Sequence, residues 1–158
     1  MSDSIEALDI SQLDDFSKEL LKLATKTKPT ETRKFLQTEG NKFRKEIVKT
    51  AKSRVKERTG NYIKGIKRGK VYKWQRDATA VRVYHRNGKG QRLKNGDMPA
   101  PHAHLIEFGH RIVDKNGNEK GFKKGKNVYR DASKNYEKEF LRNCETFIDD
   151  VIEKGLHL

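Results

Sequence analysis

Residues 79–85 read Thr79-Ala80-Val81-Arg82-Val83-Tyr84-His85, with Val81 and Val83 alternating with Arg82 and Tyr84. A period of two marks a strand with one buried and one wet face. Residues 71–74 read as a second strand, and Arg68-Gly69-Lys70 before it as a hairpin turn. Residues 61–67 form a third, less regular strand, with Tyr62 and Ile66 among polar neighbours. Together these segments predict a small antiparallel meander.

Upstream the period changes from two to 3.6. Thr30 reads as the cap of a long helix running to about Arg58, with Leu36, Phe43, Ile47, Ala51 and Val55 on one stripe. Gly40 lies on that same face. A helical glycine costs about 1 kcal/mol relative to alanine, so it marks a kink or a close helix crossing. Lys45, Lys49, Lys52 and Lys56 lie opposite, and Gly60 stands where a C′ glycine belongs. Before Pro29, residues 11–26 repeat Leu13, Phe16, Leu20 and Leu23 at helical spacing behind a Ser11/Asp14 capping pair.

Downstream, residues 86–100 hold three glycines and no periodicity, a loop of the length that usually carries function. Residues 102–109 read as a short buried turn of helix or strand that packs Ala103, Leu105, Ile106 and Phe108. Residues 111–113 read as a short strand, 114–118 as a turn and 119–127 as a second basic loop. Asp131 reads as the cap of a last helix over 132–154, with Ala132, Tyr136, Phe140, Cys144, Phe147 and Val151 on one face, widened by Leu141, Ile148 and Ile152. The predicted class is α+β: N-terminal helices, a small antiparallel sheet with long loops, and a C-terminal helix packed on the sheet. Residues 1–28 read as a helical extension and 29–158 as a single domain.

The chain has 158 residues and a formal charge of +14, and that charge is concentrated. Residues 40–94 carry 19 basic residues and three acidic ones (Glu46, Glu57, Asp77), whereas 1–39 are slightly acidic and 95–158 are balanced. A concentrated basic segment is the footprint of a polyanion or of an acidic protein surface. Leu, Ile, Val and Phe number 35 of 158, a thin core that predicts support from partner subunits. No apolar stretch is long enough to span a bilayer, the N-terminus is acidic and polar rather than a signal peptide, and the single cysteine, Cys144, rules out an intrachain disulfide. These features predict a soluble protein made in a reducing cytosol.

Chemistry-bearing motifs are sparse. His102, His104 and His110 cluster with Glu107, and on a strand His102 and His104 would share a face at metal-ligand spacing. The segment reads first as a buried connector, and a metal-dependent nuclease using the His102/His104 region is the third functional reading. Gly88 and Gly90 lack the strand–glycine–helix setting of a nucleotide loop. Tyr62, Tyr72, Trp74 and Tyr84 beside Arg82 suit a half-buried sheet. No metal or cofactor is expected.

Taken in order, Arg58-Thr59-Gly60, the small residue Gly65 before Ile66, Ala103-His104-Leu105-Ile106-Glu107-Phe108-Gly109 and a C-terminal amphipathic helix resemble the tailed-phage head–tail junction proteins, the minor neck or tail-completion family. In that family the terminal helix usually starts after an Arg-Pro-Ala entry, and here Arg130-Asp131-Ala132 stands in its place. The long basic loop and the helix over 11–26 lie outside the shared pattern. The resemblance implies a non-enzymatic virion protein assembled in the host cytoplasm. It implies a ring, six copies by expectation, around the DNA channel, in contact with head-completion, tail-terminator or tail-tube proteins. It marks Arg58, Thr59, Gly60, Ile66, Ala103, Leu105, Glu107, Phe108 and Gly109 as motif positions, and a Glu107–Arg58 ion pair is expected. Lys45, Lys49, Lys52 and Lys56, with Arg86, Lys89, Arg92 and Lys94, are the candidate contacts to a polyanion or partner, on one shared face. The alternative reading is a basic nucleic-acid-binding module.

Overall fold

The computed structural model describes residues 28–56, 60–74, 78–86 and 102–156. The helix expected over 11–26, Arg58 and Thr59, and Lys89, Arg92 and Lys94 lie outside the described residues. The α+β expectation holds: four helices and two two-stranded antiparallel sheets are described.

Helix α1 spans Lys28–Arg54, starting two residues before the expected cap and ending four before the expected end. Pro29 sits in its first turn, where a missing N–H costs nothing because the first amides have no helical partner. Glu31 in the first turn and Lys52 and Arg54 in the last match the helix dipole. The nearest neighbours of Gly40 are on the β1–β2 sheet. A Cβ there would stand 2.9 Å from Arg68 Cδ and 3.2 Å from Val81 Cγ1, so this is where the sheet lies against the helix.

Two strand expectations are corrected. Residues Asn61–Gly65 form a short helix, α2, entered through Gly60 in a left-handed conformation (φ 71°). Gly60 therefore opens α2 instead of closing α1. The spacing of Tyr62 and Ile66 misled because four residues fit one helical turn as well as two strand repeats. Strand β1, Ile66–Trp74, then runs straight through Arg68-Gly69-Lys70, and the expected hairpin turn is a shift in register between Arg68 and Val71. Gly69 lies there against the Tyr84 ring, which a Cβ would approach to 3.3 Å. Strand β2, Ala78–His85, pairs antiparallel with β1 from Ile66↔His85 to Trp74↔Ala78.

After the second gap come α3 (Ala103–Phe108), β3 (Gly109–Val113), β4 (Glu119–Lys124) and α4 (Val128–Leu156). The basic loop expected after the 114–118 turn is therefore largely a strand, paired antiparallel with β3. Helix α4 starts at Val128, and Asp131, the expected cap, lies within its first turn.

Helix α1 is the central layer, with the β1–β2 sheet against it and α4 running antiparallel along it. Rings bind the two long helices together: Phe35 stacks on Phe147 at 4.4 Å and Phe43 on Tyr136 at 5.7 Å. The small core holds Ile47, Ala51, Tyr62, Ile66, Ala103, Val128 and Ala132. The stripe expected on the last helix is found, with Ala132, Tyr136 and Val151 buried, but Leu141, Ile148 and Ile152 remain largely exposed.

Candidate assembly surface

The motif Ala103–Gly109 works as a joint between two helices. Ala103 enters the core, and the carbonyls of Ile106 and Glu107 accept from the N–H groups of Lys126 and Asn127. Those bonds bring α3 to the start of α4, and the Glu107 side chain completes the contact. Glu107 is buried (8% exposed), and its carboxylate accepts from the N–H of Val128 at 2.7 Å, of Tyr129 at 3.0 Å and of Arg130 at 3.4 Å. These are the amides a helix start leaves without partners, and a negative charge there also faces the positive end of the dipole. Sequence reasoning found the residue and expected Arg58 as its partner. Arg58 lies outside the described residues. The buried phenols of Tyr62 and Tyr129 stand close by, and burial first, with Glu107's charge contributing, pushes both well above the usual tyrosine range.

Gly109 turns the chain out of this joint at φ 86° and ψ 177°. The β3–β4 hairpin that follows is an arm, touching chiefly itself and α3, with every residue of β4 exposed. Asp114 holds its tip by accepting from the N–H groups of Asn116 and Asn118, each at 2.9 Å. Phe108 was expected to be buried but is 74% exposed at the arm's root, and Phe122 (61%), Val113 (58%) and Ile112 (45%) are exposed along it. The second strand was missed because Lys-Gly-Phe-Lys carries no clean alternation. The available signal was Asn116-Gly117, the dipeptide that favours a tight hairpin, between Ile112-Val113 and Phe122. His102 precedes and His104 lies within the helix 103–108, so they do not share a strand face, and among the described residues no group of three or more His, Cys, Asp or Glu could hold a metal ion.

The seam between α1 and α4 is polar at one point. Glu39, 3% exposed, accepts from Tyr136 Oη at 2.6 Å, Asn143 Nδ2 at 2.9 Å and Lys42 Nζ at 2.9 Å. Burial pushes its carboxyl up, but these three partners outweigh burial and hold it below the usual range. Linkage fixes the sign. Glu39's contribution to stability is complete above the ordinary value of 4.5 and is lost as pH falls through the depressed folded value. Melts of the wild type and of Glu39→Gln between pH 7 and pH 3 check this. The gap between them should narrow as the solution becomes acid. Beside this seam an apolar groove of about 670 Å³ opens between α1, β2 and α4, lined by Leu36, Phe43, Val81, Val83, Tyr136 and Phe140.

Lys45, Lys49 and Lys52 are exposed at spacings that keep them on one side of the α1 end, and Lys56, also exposed, lies two residues beyond it. Lys49 reaches Glu46 at 3.6 Å, an exposed pair that leaves its charge in water. Arg86 is half-buried just past β2, and its N–H donates to the Gly65 carbonyl. The shared face expected between the lysine row and residues 87–94 falls outside the described residues. Ile66, at 1% exposure, is a core position, and Leu105 is half-buried.

A family model, HK97-gp10-like, described as "Bacteriophage HK97-gp10, putative tail-component", matches residues 12–109. The match agrees with the phage head–tail resemblance read from the sequence. It starts inside the segment read as an extension and stops at Gly109, the root of the arm. No curated protein and no solved structure matches the chain.

Proposed function

Because the chain belongs to the HK97-gp10-like phage tail-component family, we propose that it is a non-enzymatic neck protein that closes the head–tail joint as a ring around the DNA channel. Membership makes it a structural phage protein, and the ring, its place in the neck and its assembly in the host cytoplasm are the proposal. Head-completion, tail-terminator or tail-tube proteins are its neighbours in this reading.

The observation that carries the ring is the amount of large apolar surface left in water by a chain with so small a core. Phe108, Phe122, Val113, Leu141, Ile148 and Trp74 are each more than half exposed. They fall in separate patches on the end of β1, the arm and α4, and exposed apolar patches mark sites of association. Purified protein should run as a discrete ring-sized species in mass photometry, with six copies of the 18.3 kDa chain as the expected stoichiometry. A stable monomer at tens of micromolar, with heads and tails still joining when the gene is deleted, would remove the reading.

The exposed lysines at and just past the end of α1 favour a second reading, in which the domain binds nucleic acid along them. In that case affinity falls steeply with salt, with a slope set by the number of phosphates neutralised. Replacing Lys45, Lys49, Lys52 and Lys56 by glutamine should flatten that slope. Equal DNA affinity before and after the change would end the second reading.

A further inference from the structure

We infer that the β3–β4 arm of one copy seats on the outer stripe of α4 in a second copy, so that each subunit gives one arm and receives one. The inference rests on the ring reading and names the surfaces that would make the ring. The stripe, and all of the arm past Gly109, lie beyond the residues matched by the family model.

The arm is apolar and basic. It exposes Phe122 on the face shared with its cross-strand partner Arg111, Ile112 on the other face and Val113 near the tip, and over residues 109–125 it carries Arg111, Lys115, Lys120, Lys123 and Lys124 against two acids. The stripe is apolar and acidic. Leu141, Ile148 and Ile152 recur at i, i+7 and i+11, and are 55%, 54% and 42% exposed. Between Arg142 and Lys154 the helix carries Glu145, Asp149, Asp150 and Glu153 and no basic residue. Apolar centres bordered by opposite charges suit each other, because the charges fix partner and register while the buried carbon supplies the attraction.

Geometry excludes a contact within one chain. Glu107 fixes the arm's root at the first turn of α4. Ile148 and Ile152 lie 20 and 24 residues further on, about 30 and 36 Å at 1.5 Å per residue. The five-residue strand β3 spans only about 17 Å. An arm therefore reaches the Ile148–Ile152 end of this stripe only on another molecule. Arm and stripe are different patches, so the contact is head-to-tail, which closes into a ring when the rotation between copies closes. The chain's own N-terminal segment is a poorer occupant. Residues 1–27 carry six acidic residues and three basic ones, the same sign as the stripe.

The test uses the full chain with Cys144→Ala, so that introduced cysteines react alone. Phe122→Cys and Ile148→Cys proteins are prepared separately, mixed, and treated with a short bis-maleimide. Covalent dimers should form at least ten-fold more in the mixture than in either protein alone. Phe122→Asp should convert the oligomer to monomer without lowering the melting temperature of the monomer, and Phe122→Leu should leave it assembled. Reversing Asp149 and Asp150 to lysine should weaken assembly, and reversing Lys123 and Lys124 to glutamate should restore it. Assembled rings with no crosslink and no effect of Phe122→Asp would overturn the inference and leave the ring reading standing. An unsubstituted chain that never assembles would strike the ring reading itself. Preferential crosslinking of Leu20→Cys to Ile148→Cys within one chain would give the stripe to the N-terminal segment and also overturn the inference.

Discussion

Replacing Glu107 with alanine should cost the protein about 3 kcal/mol, because one side chain serves three backbone donors. An ordinary N-cap on a single helix is worth about 1 kcal/mol. Two differences raise the figure here. The acceptor is ionised, which strengthens each bond. The first donor, Val128 N–H, belongs to a residue with no exposure, so water cannot replace the lost partner. For a domain of this size, 1 kcal/mol shifts the melting temperature by about 2–4 °C, so Glu107→Ala should lower it by roughly 6–12 °C. Glu107→Gln keeps the shape and one acceptor oxygen and should lose about half as much. A melting temperature within about 2 °C of wild type for Glu107→Ala would show that the cap contributes little. The damage should be concentrated at the start of α4 and the root of the arm, so hydrogen exchange should rise first at Val128 and Tyr129.

Gly109→Ala should be at least as severe, for a different reason. The backbone there, φ 86° and ψ 177°, lies in a region open almost only to glycine. A Cβ would also stand 2.3 Å from the Lys123 carbonyl oxygen and 2.8 Å from the Gly125 nitrogen. Both neighbours are backbone, in the returning strand and just past its end, so neither can rotate away. Backbone strain costs about 1–3 kcal/mol by itself, and with the clash the total should exceed about 4 kcal/mol. Little folded protein should be recovered. Gly117→Ala is the control. Gly117 also has a positive φ, 84°, but a Cβ there meets nothing within 4 Å. It should cost only about 1–2 kcal/mol. Equal losses at the two positions would mean that conformation, and not the close crossing at the arm's root, sets the cost.

Periodicity made much of the architecture legible. The stripe Phe43, Ile47, Ala51 identified the buried face of α1, and Ala132, Tyr136, Val151 that of α4, because a repeat near 3.6 over many residues has few alternative readings. The alternation of Val81 and Val83 identified β2 for the same reason. Short elements were less legible. Tyr62 and Ile66 sit four apart, which suits strand and helix alike, and Gly69 resembles a turn until the Tyr84 ring beside it is seen. Of the candidate site, the sequence supplied Glu107 and Gly109 as a motif without their physical roles.

The sequence by itself determined where the charge lies, which helix faces are apolar, and that the chain is α+β with a phage-neck motif. Each of these is a property of residues close together in the chain. The tertiary structure alone decided that Glu107 caps a helix 21 residues further on, and that Gly40 lies against the sheet. It alone separated the buried Val151 from the exposed Ile148 and Ile152, which stand on the same helix and differ only in the direction they face. Partners distant in sequence are set by how elements pack, and nothing local to Glu107 or Gly40 specifies which element arrives.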